Sequence, residues 1–363
     1  MKKNVLAAFC LLVLLLLSGC AAPQGGGTAA TPPATTMPVP VTAPPASQGA
    51  AAERVEDYFP AAADVRLTYE GVGNEYASYV SHTEFQEGNK LQLRIDNGGT
   101  VTSRVYKWEN GMLSRGLSVP EAYVRENLLN APETEQDVLL KEPLTAGTAW
   151  DSAGGQRQVT AVSVPVETAS GNYAALEVTT QGNGSKTMDY YAKGVGLVKS
   201  VFQSEGMEVV SSLEQIEKDT PFLQVVRLYY PGADGSGRFY REVQLAMATN
   251  MTLAAAAQEA YQAEPGGKAG HVFTPGTRIL SLKKGANHTV LLDLNQAFVT
   301  ERTGSAAYQE GVLHSAADTF GELYLADKVL LTVEGKPYQS GQFSMKEGEA
   351  LDVERTEAQI IID

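Results

Sequence analysis

The sequence predicts an α+β protein: an N-terminal antiparallel β-rich domain, a curved sheet or half-barrel, followed by a small α+β domain with two helices on one sheet face. Three observations predict it. Apolar and polar residues alternate through about 56–218, with turn signals between the runs. After the polar segment Glu217-Lys218-Asp219-Thr220-Pro221 the pattern becomes a mixture of strands and helices. Within that mixture, residues 252–264 and the stretch opening at Ser305 carry apolar residues at helical spacing.

Residues 1–19 read as a secretory leader. Lys2 and Lys3 form a basic start, Val5 to Leu17 is almost wholly apolar, and small residues close the segment. The apolar run is shorter than the ~20 residues of a membrane span. Its end, Leu17-Ser18-Gly19-Cys20, resembles the lipobox of bacterial lipoproteins. That resemblance implies cleavage before Cys20, a diacylglyceryl thioether on its sulfur, and a further acyl chain such as palmitate on the new N-terminus. Two or more chains anchor a protein stably where one does not. The expected location is the cell membrane, on the extracytoplasmic face, with the membrane reached through the lipid on Cys20. The chain has two cysteines, Cys10 in the leader and Cys20. The mature protein therefore has no disulfide and no cysteine metal site.

Residues 20–52 follow as a lipid-anchored Ala/Pro/Thr linker. From 21 to 52 there is no charged and no aromatic residue, and seven of the seventeen prolines lie here. Such a segment buries too little apolar surface to offset its ordering entropy, so disorder is expected. The remaining stretch of about 310 residues exceeds what one core supports. It is divided into a β-rich domain at 56–218, an α+β domain at 222–340 and a tail at 341–363.

In the first domain the alternation runs through Val65-Leu67-Tyr69, Leu91-Leu93-Ile95, Val101-Val105 to Trp108, Val159-Val162-Val164-Val166, Leu176-Val178 and Leu197-Val201. Glu87-Gly88-Asn89, Asn97-Gly98-Gly99, Asn110-Gly111, Ser170-Gly171-Asn172 and Gly182-Asn183-Gly184 mark turns. Ala122 to Leu129, between Pro120 and Pro132, reads as a helix. In the second domain Val226-Leu228-Tyr230 and Val243-Leu245 are strands. The helix 252–264 places Leu253, Ala257 and Tyr261 on one face and ends at Pro265-Gly266-Gly267. Strands Arg278–Lys283, with Leu280 and Leu282 inward, and His288–Leu294 follow. Ser305 caps a helix whose stripe is Leu313, Ala316, Ala317, Phe320, Leu323 and Tyr324, and Lys328–Glu334 is the last strand.

Residues 222–340 resemble the GerMN domain of sporulation and spore-germination proteins. The pieces are Val226-Arg227-Leu228-Tyr229-Tyr230-Pro231, Arg241-Glu242-Val243, Pro275-Gly276-Thr277-Arg278-Ile279-Leu280 and Val290-Leu291-Leu292-Asp293-Leu294. Gly304-Ser305 with Glu310, Thr319-Phe320 and Val333-Glu334-Gly335-Lys336 continue them. No piece is specific alone; the ordered set is. Glu264-Pro265 stands where the family usually has Gly-Pro, Leu292-Asp293-Leu294-Asn295 where it has Val-Asp-Leu-Ser, and one copy is present where some relatives carry two. The resemblance implies envelope assembly or protein contacts, not catalysis. The run Asp189 to Lys199 looks like the closing hairpin of β-rich envelope domains of unknown function.

The formal charge of −14, −16 once Lys2 and Lys3 are lost, argues against nucleic acid and against electrostatic binding to anionic lipid heads. His82, His271, His288 and His314 stand in no ligand spacing, Gly304-Ser305-Ala306-Ala307 is not a nucleophile elbow, and Gly232–Gly237 lacks the lysine of a phosphate loop. Asp293, in an otherwise apolar strand, either lies buried against Arg278 on the neighbouring strand or faces water at the strand's end, and a structural role is expected of both residues. The aromatic set Tyr69, Tyr76, Tyr79, Trp108, Tyr123, Tyr190 and Tyr191 forms core and cross-strand pairs, or lines a concave face. The expected protein is a non-enzymatic module without metal or cofactor that binds an envelope protein or cell-wall partner, with an open sheet edge allowing self-association. The alternative is a carrier of a lipid or glycan ligand through the β-rich domain.

Overall fold

The structure, a computed structural model, describes residues 53–354 and 358–360. The leader at 1–19, the linker at 20–52 and Cys20 lie outside the described residues. Residues Ala51–Asp363 form one compact unit.

A short helix, α1 (Val55–Tyr58), leads into a twelve-stranded antiparallel sheet. Its first six strands are β1 (Arg66–Val72), β2 (Tyr79–Glu87), β3 (Lys90–Asp96), β4 (Val101–Glu109), β5 (Met112–Val119) and β6 (Asp137–Lys141). The second six are β7 (Ala149–Ser152), β8 (Gly155–Thr168), β9 (Gly171–Gln181), β10 (Ser185–Ala192), β11 (Gly196–Ser204) and β12 (Met207–Glu217). Each six is a meander, and the β1–β12 ladder joins them. Strands β6 and β7 are thus the two sheet edges, yet neighbours in sequence. The short connection between them draws the edges together.

Side chains close the seam where no ladder does. Arg157 on β8 donates to Asp137 at 2.8 Å and to the Val138 carbonyl at 2.5 Å. The Trp150 indole N–H reaches the same carbonyl at 2.9 Å. Register shifts at Thr68/Tyr69, Thr83/Phe85 and Val105/Tyr106 bend the strands, as bulges do. The expected curved sheet or half-barrel is therefore a nearly closed barrel. Trp108, Leu113, Leu140, Trp150, Val159 and Tyr191 fill one part of its interior.

The second region begins with β13 (Phe222–Pro231) and β14 (Arg238–Met247), then α2 (Leu253–Tyr261), β15 (Ile279–Lys284) and β16 (Thr289–Leu294). After a one-turn α3 (Ala297–Thr300) come α4 (Ala306–Leu323), β17 (Lys328–Val333), β18 (Lys336–Pro337), β19 (Leu351–Asp352) and β20 (Gln359–Ile360). The α+β class is as the sequence predicts. The strands fall into two sheets rather than one: β13–β14–β20, and β15–β16–β17 with β18 and β19 both on β17. The intervening α2 and the connection after it keep β14 from meeting β15. Helix α4 packs on strands of both sheets. Its N-cap Ser305 accepts from the Tyr308 N–H at 3.2 Å, and its stripe Leu313, Ala316, Ala317, Phe320, Leu323 and Tyr324 is buried. Thr252 caps α2 in the same way. Part of the tail is packed too, with Met345 and Leu351 in the core.

The structure departs from the sequence reading at three local points. Residues 122–129 are an extended strap, not a helix. Side chains of the sheet take the bonds a helix would have made. Gln92 accepts from the Leu128 N–H and donates to the Glu126 carbonyl, Arg94 donates to the Ala122 carbonyl, and Lys90 to the Leu129 carbonyl. Leu280 faces outward and is 53% exposed, because the ladder slips between Ile279 and Ser281. Asp293 and Arg278 do not pair. Asp293 accepts from Thr332 and from the Gly335 N–H, while Arg278 donates to the carbonyls of Pro275 and Thr277.

The strap also joins the two regions. Val124 enters the core of the second region, while Leu129 packs on Phe85, Val105 and Leu117 of the barrel's outer face. Arg125 donates to the carbonyls of Glu84 on one side and of Ala248 and Met251 on the other, at 2.8, 3.1 and 3.0 Å. Beneath it lies the fully buried Glu84 carboxylate, bonded by Gln92 and Ser103 and 3.7 Å from both Arg94 and Arg125. Asp64 and Thr249 exchange two further bonds across the same junction.

Candidate functional site

A cavity of about 240 Å3 opens inside the barrel against β1 to β4. Strand alternation explains its walls. Leu67 and Tyr69 of β1, Leu91, Leu93 and Ile95 of β3, and Tyr106 of β4 stand on the inward side of their strands. Tyr69 and Tyr79 are cross-strand partners, stacked with ring centroids 4.3 Å apart. The segment after α1 lies over the cavity and contributes Phe59, Pro60 and Ala62. Two bonds fix that segment: Val55 N–H to Glu142 at 3.1 Å, and Gly194 N–H to the Asp57 carbonyl at 2.7 Å. Ring contacts of Phe59 with Tyr106 at 5.1 Å and Trp108 at 6.2 Å complete the cover.

The polar groups are few and uneven in sign. Burial pushes the hydroxyls of Tyr69 and Tyr79 well above the ordinary tyrosine range, so both stay protonated. The Tyr69 hydroxyl donates to the Leu197 carbonyl at 2.7 Å. Arg104, cross-strand from Leu93, lines the cavity, and its Nε is buried without a hydrogen-bond partner. The exposed Lys218 is the other charged lining residue. No lining residue is acidic, and none is histidine or cysteine. The cavity can hold an apolar molecule and answer a negative charge, but it offers no acid–base pair.

The other sequence candidates are dispersed. His82 sits at the junction of the regions, edge-on to Phe222 at 5.4 Å. His271 pairs with Glu264 at 3.2 Å, His288 lies in the turn before β16, and His314 lies on α4. Among the described residues no group of three or more His, Cys, Asp or Glu side chains could hold a metal. Gly232–Gly237 is the hairpin loop between β13 and β14, with Asp234 accepting from the Ser236 N–H and hydroxyl. Glu310 is exposed. Of the aromatic set, Tyr69 and Tyr79 line the cavity, Trp108 and Tyr191 fill the rest of the interior, and Tyr76 and Tyr123 are exposed. The alternation Val101-Val105 marks the outer face under the strap, not the cavity. Unbroken alternation along β4 puts Val105 on that outer face and Arg104, Tyr106 and Trp108 on the inward one. Arg104 and Tyr106 were therefore hidden; an arginine among large apolar residues in one strand was the available signal.

Residues 227–339 match the family model described as Germane, sporulation and spore germination. A solved structure from Bacteroides fragilis NCTC 9343, described as an exported protein with a YmcC-like fold, is 13% identical; the match covers 44% of this chain and 99% of that one, with a TM-score of 0.28. No curated protein matches the chain. Among the described residues no helix is long and apolar enough to cross a membrane.

Proposed function

Since the chain carries a C-terminal Germane domain over residues 227–339, we propose that it is an envelope protein of sporulation or germination that works outside the cytoplasm by binding, not by catalysis. The Germane match is the observation that carries this reading. Leader cleavage before Cys20 and a thioether lipid on its sulfur anchor the protein to the outer face of the cell membrane, as the lipobox-like end of the leader suggests. The Germane domain meets an envelope protein or cell-wall partner. A non-enzymatic role is supported by the lining of the barrel cavity, which lacks acids, histidine and cysteine.

Two measurements test the reading. Mass spectrometry of the native N-terminal peptide is expected to find Cys20 first in the chain and lipid-modified; an unmodified thiol, or an intact leader in the cytosol, overturns the anchoring. Crosslinking in cells is expected to join the Germane domain to an envelope component. Deletion that leaves sporulation, germination and every envelope complex unchanged overturns the role.

The cavity favours a second reading, in which the barrel carries a small ligand. Its walls of Leu67, Leu91, Leu93 and Ile95 suit an acyl chain better than a glycan, whose hydroxyls would go unmatched there.

A further inference from the structure

The geometry points to a defined ligand for the barrel: a single-chain amphiphile with a carboxylate head, a free fatty acid, whose head pairs with Arg104 and whose tail lies against Leu67, Leu93 and Ile95. This rests on the second reading above and gives it a chemical class.

Size comes first. A volume of about 240 Å3 is just under the ~300 Å3 at which drug-sized ligand pockets begin. That admits one medium acyl chain and not a two-chain lipid. The walls are next. They are mainly aliphatic and aromatic, with Ser81 and Thr83 also among the lining, and the Tyr69 hydroxyl is already committed to the Leu197 carbonyl. A tail lying along Leu67, Leu93 and Ile95 gains the burial of its methylenes, at ~0.8 kcal/mol each.

Charge selects the head. The chain carries a formal charge of −14, so an inward-facing site without acids goes against the composition. Both charged lining residues, Arg104 and Lys218, are cations. Arg104 is not spent inside the protein: its Nε is buried and unbonded. A buried donor without an acceptor is costly, and the loss is recovered when an acceptor arrives. A guanidinium edge presents two parallel N–H groups that match the two oxygens of a carboxylate. An alcohol or an amine of the same length cannot make that pair. The cover formed by Phe59, Pro60 and Ala62 closes over the chain and would exclude water from the ion pair, which strengthens it.

The test uses the mature chain, residues 20–363, with Cys20→Ala so that no acyl group of its own is present. Decanoate, decanol and decylamine are titrated below their aggregation limits and binding is read by calorimetry. Decanoate is expected to bind one per chain, about tenfold or more tighter than decanol, with decylamine weakest. Arg104→Met keeps an unbranched apolar stem and removes the guanidinium and its charge. It is expected to bring decanoate down to the level of decanol while decanol binding stays or improves. Arg104→Lys is expected to keep part of the preference. The comparison of the three probes on the chain with Arg104 intact needs no folded variant at this position. Should none of the probes bind, the second reading fails and this assignment with it. Should decanoate and decanol bind equally, or Arg104→Met leave the preference intact, the apolar-ligand reading stands and the role of Arg104 is overturned.

Discussion

The Germane domain and the barrel bury aromatic side chains to opposite ends. In the Germane domain they meet at the centre. Tyr261 lies 4.9 Å from Phe273 and 6.2 Å from Phe320 between ring centroids, and its hydroxyl donates to the Tyr229 carbonyl at 3.0 Å. Thr319 on α4 shares that hydroxyl and accepts from the Tyr229 N–H, tying the helix to β13. In the barrel, Tyr69 and Tyr79 stack against the wall of a space of about 240 Å3. Geometry explains the contrast. A helix laid on a sheet closes at the thickness of its side chains, whereas a closed sheet widens with strand number. About eight strands leave an interior that side chains just fill. Twelve leave more, and here part is filled by Trp108, Trp150 and Tyr191 while the part beside β1 to β4 stays open.

The sharpest way to break the comparison is to separate the regions. Arg125→Met leaves the carbonyls of Glu84, Ala248 and Met251 without their donor and takes one cation from buried Glu84. The expected loss is about 3–5 kcal/mol, read from urea unfolding. The next test sets the solid core against the hollow one. Phe320→Ala empties space in a filled core and is expected to cost about 3–5 kcal/mol. Leu93→Ala only enlarges an existing cavity and is expected to cost about 2 kcal/mol, the low end for that change.

A pH test addresses the junction. Burial, and then the positive charges of Arg66, Arg125 and Arg94, push the His82 imidazole down to about 4 from its ordinary 6.5. The folded value is depressed, so the fold prefers the neutral ring. That contribution is complete above about 6.5 and is lost as pH falls toward about 4. His82 is partly exposed, which trims the effect to about 1 kcal/mol. His82→Gln is expected to flatten stability across this window relative to the parent chain. The smallest effect belongs to the helix cap: Ser305→Ala removes the acceptor of the Tyr308 N–H and is expected to cost ~1 kcal/mol, seen as a small drop in Tm.

What the sequence showed and hid follows the same division. Local chemistry was legible. The alternation and the Asn-Gly turns announced the β-rich domain, Ser305 announced its cap, and the ordered pieces from Val226 to Lys336 announced the Germane domain. What depended on a distant partner was not. The residues 122–129 contain good helix formers, and nothing local says that Gln92, Arg94 and Lys90 will take their backbone bonds. A one-residue slip in β15 turns Leu280 outward, because side-chain direction in a strand has period two. The cavity depends on the approach of β6 to β7, and nothing near Arg104 in the sequence announces that closure.

The bonds of Arg125, and of Asp64 with Thr249, tie the hollow barrel to the solid Germane domain, so the two are expected to unfold together. Both tryptophans, Trp108 and Trp150, lie in the barrel, while the long helices α2 and α4 lie in or beside the Germane domain. Urea unfolding followed on one sample by tryptophan fluorescence and by helical ellipticity therefore reads the two regions separately. The account predicts superimposable curves for the parent chain, as one cooperative transition requires. Curves with distinct midpoints in the parent chain would contradict it.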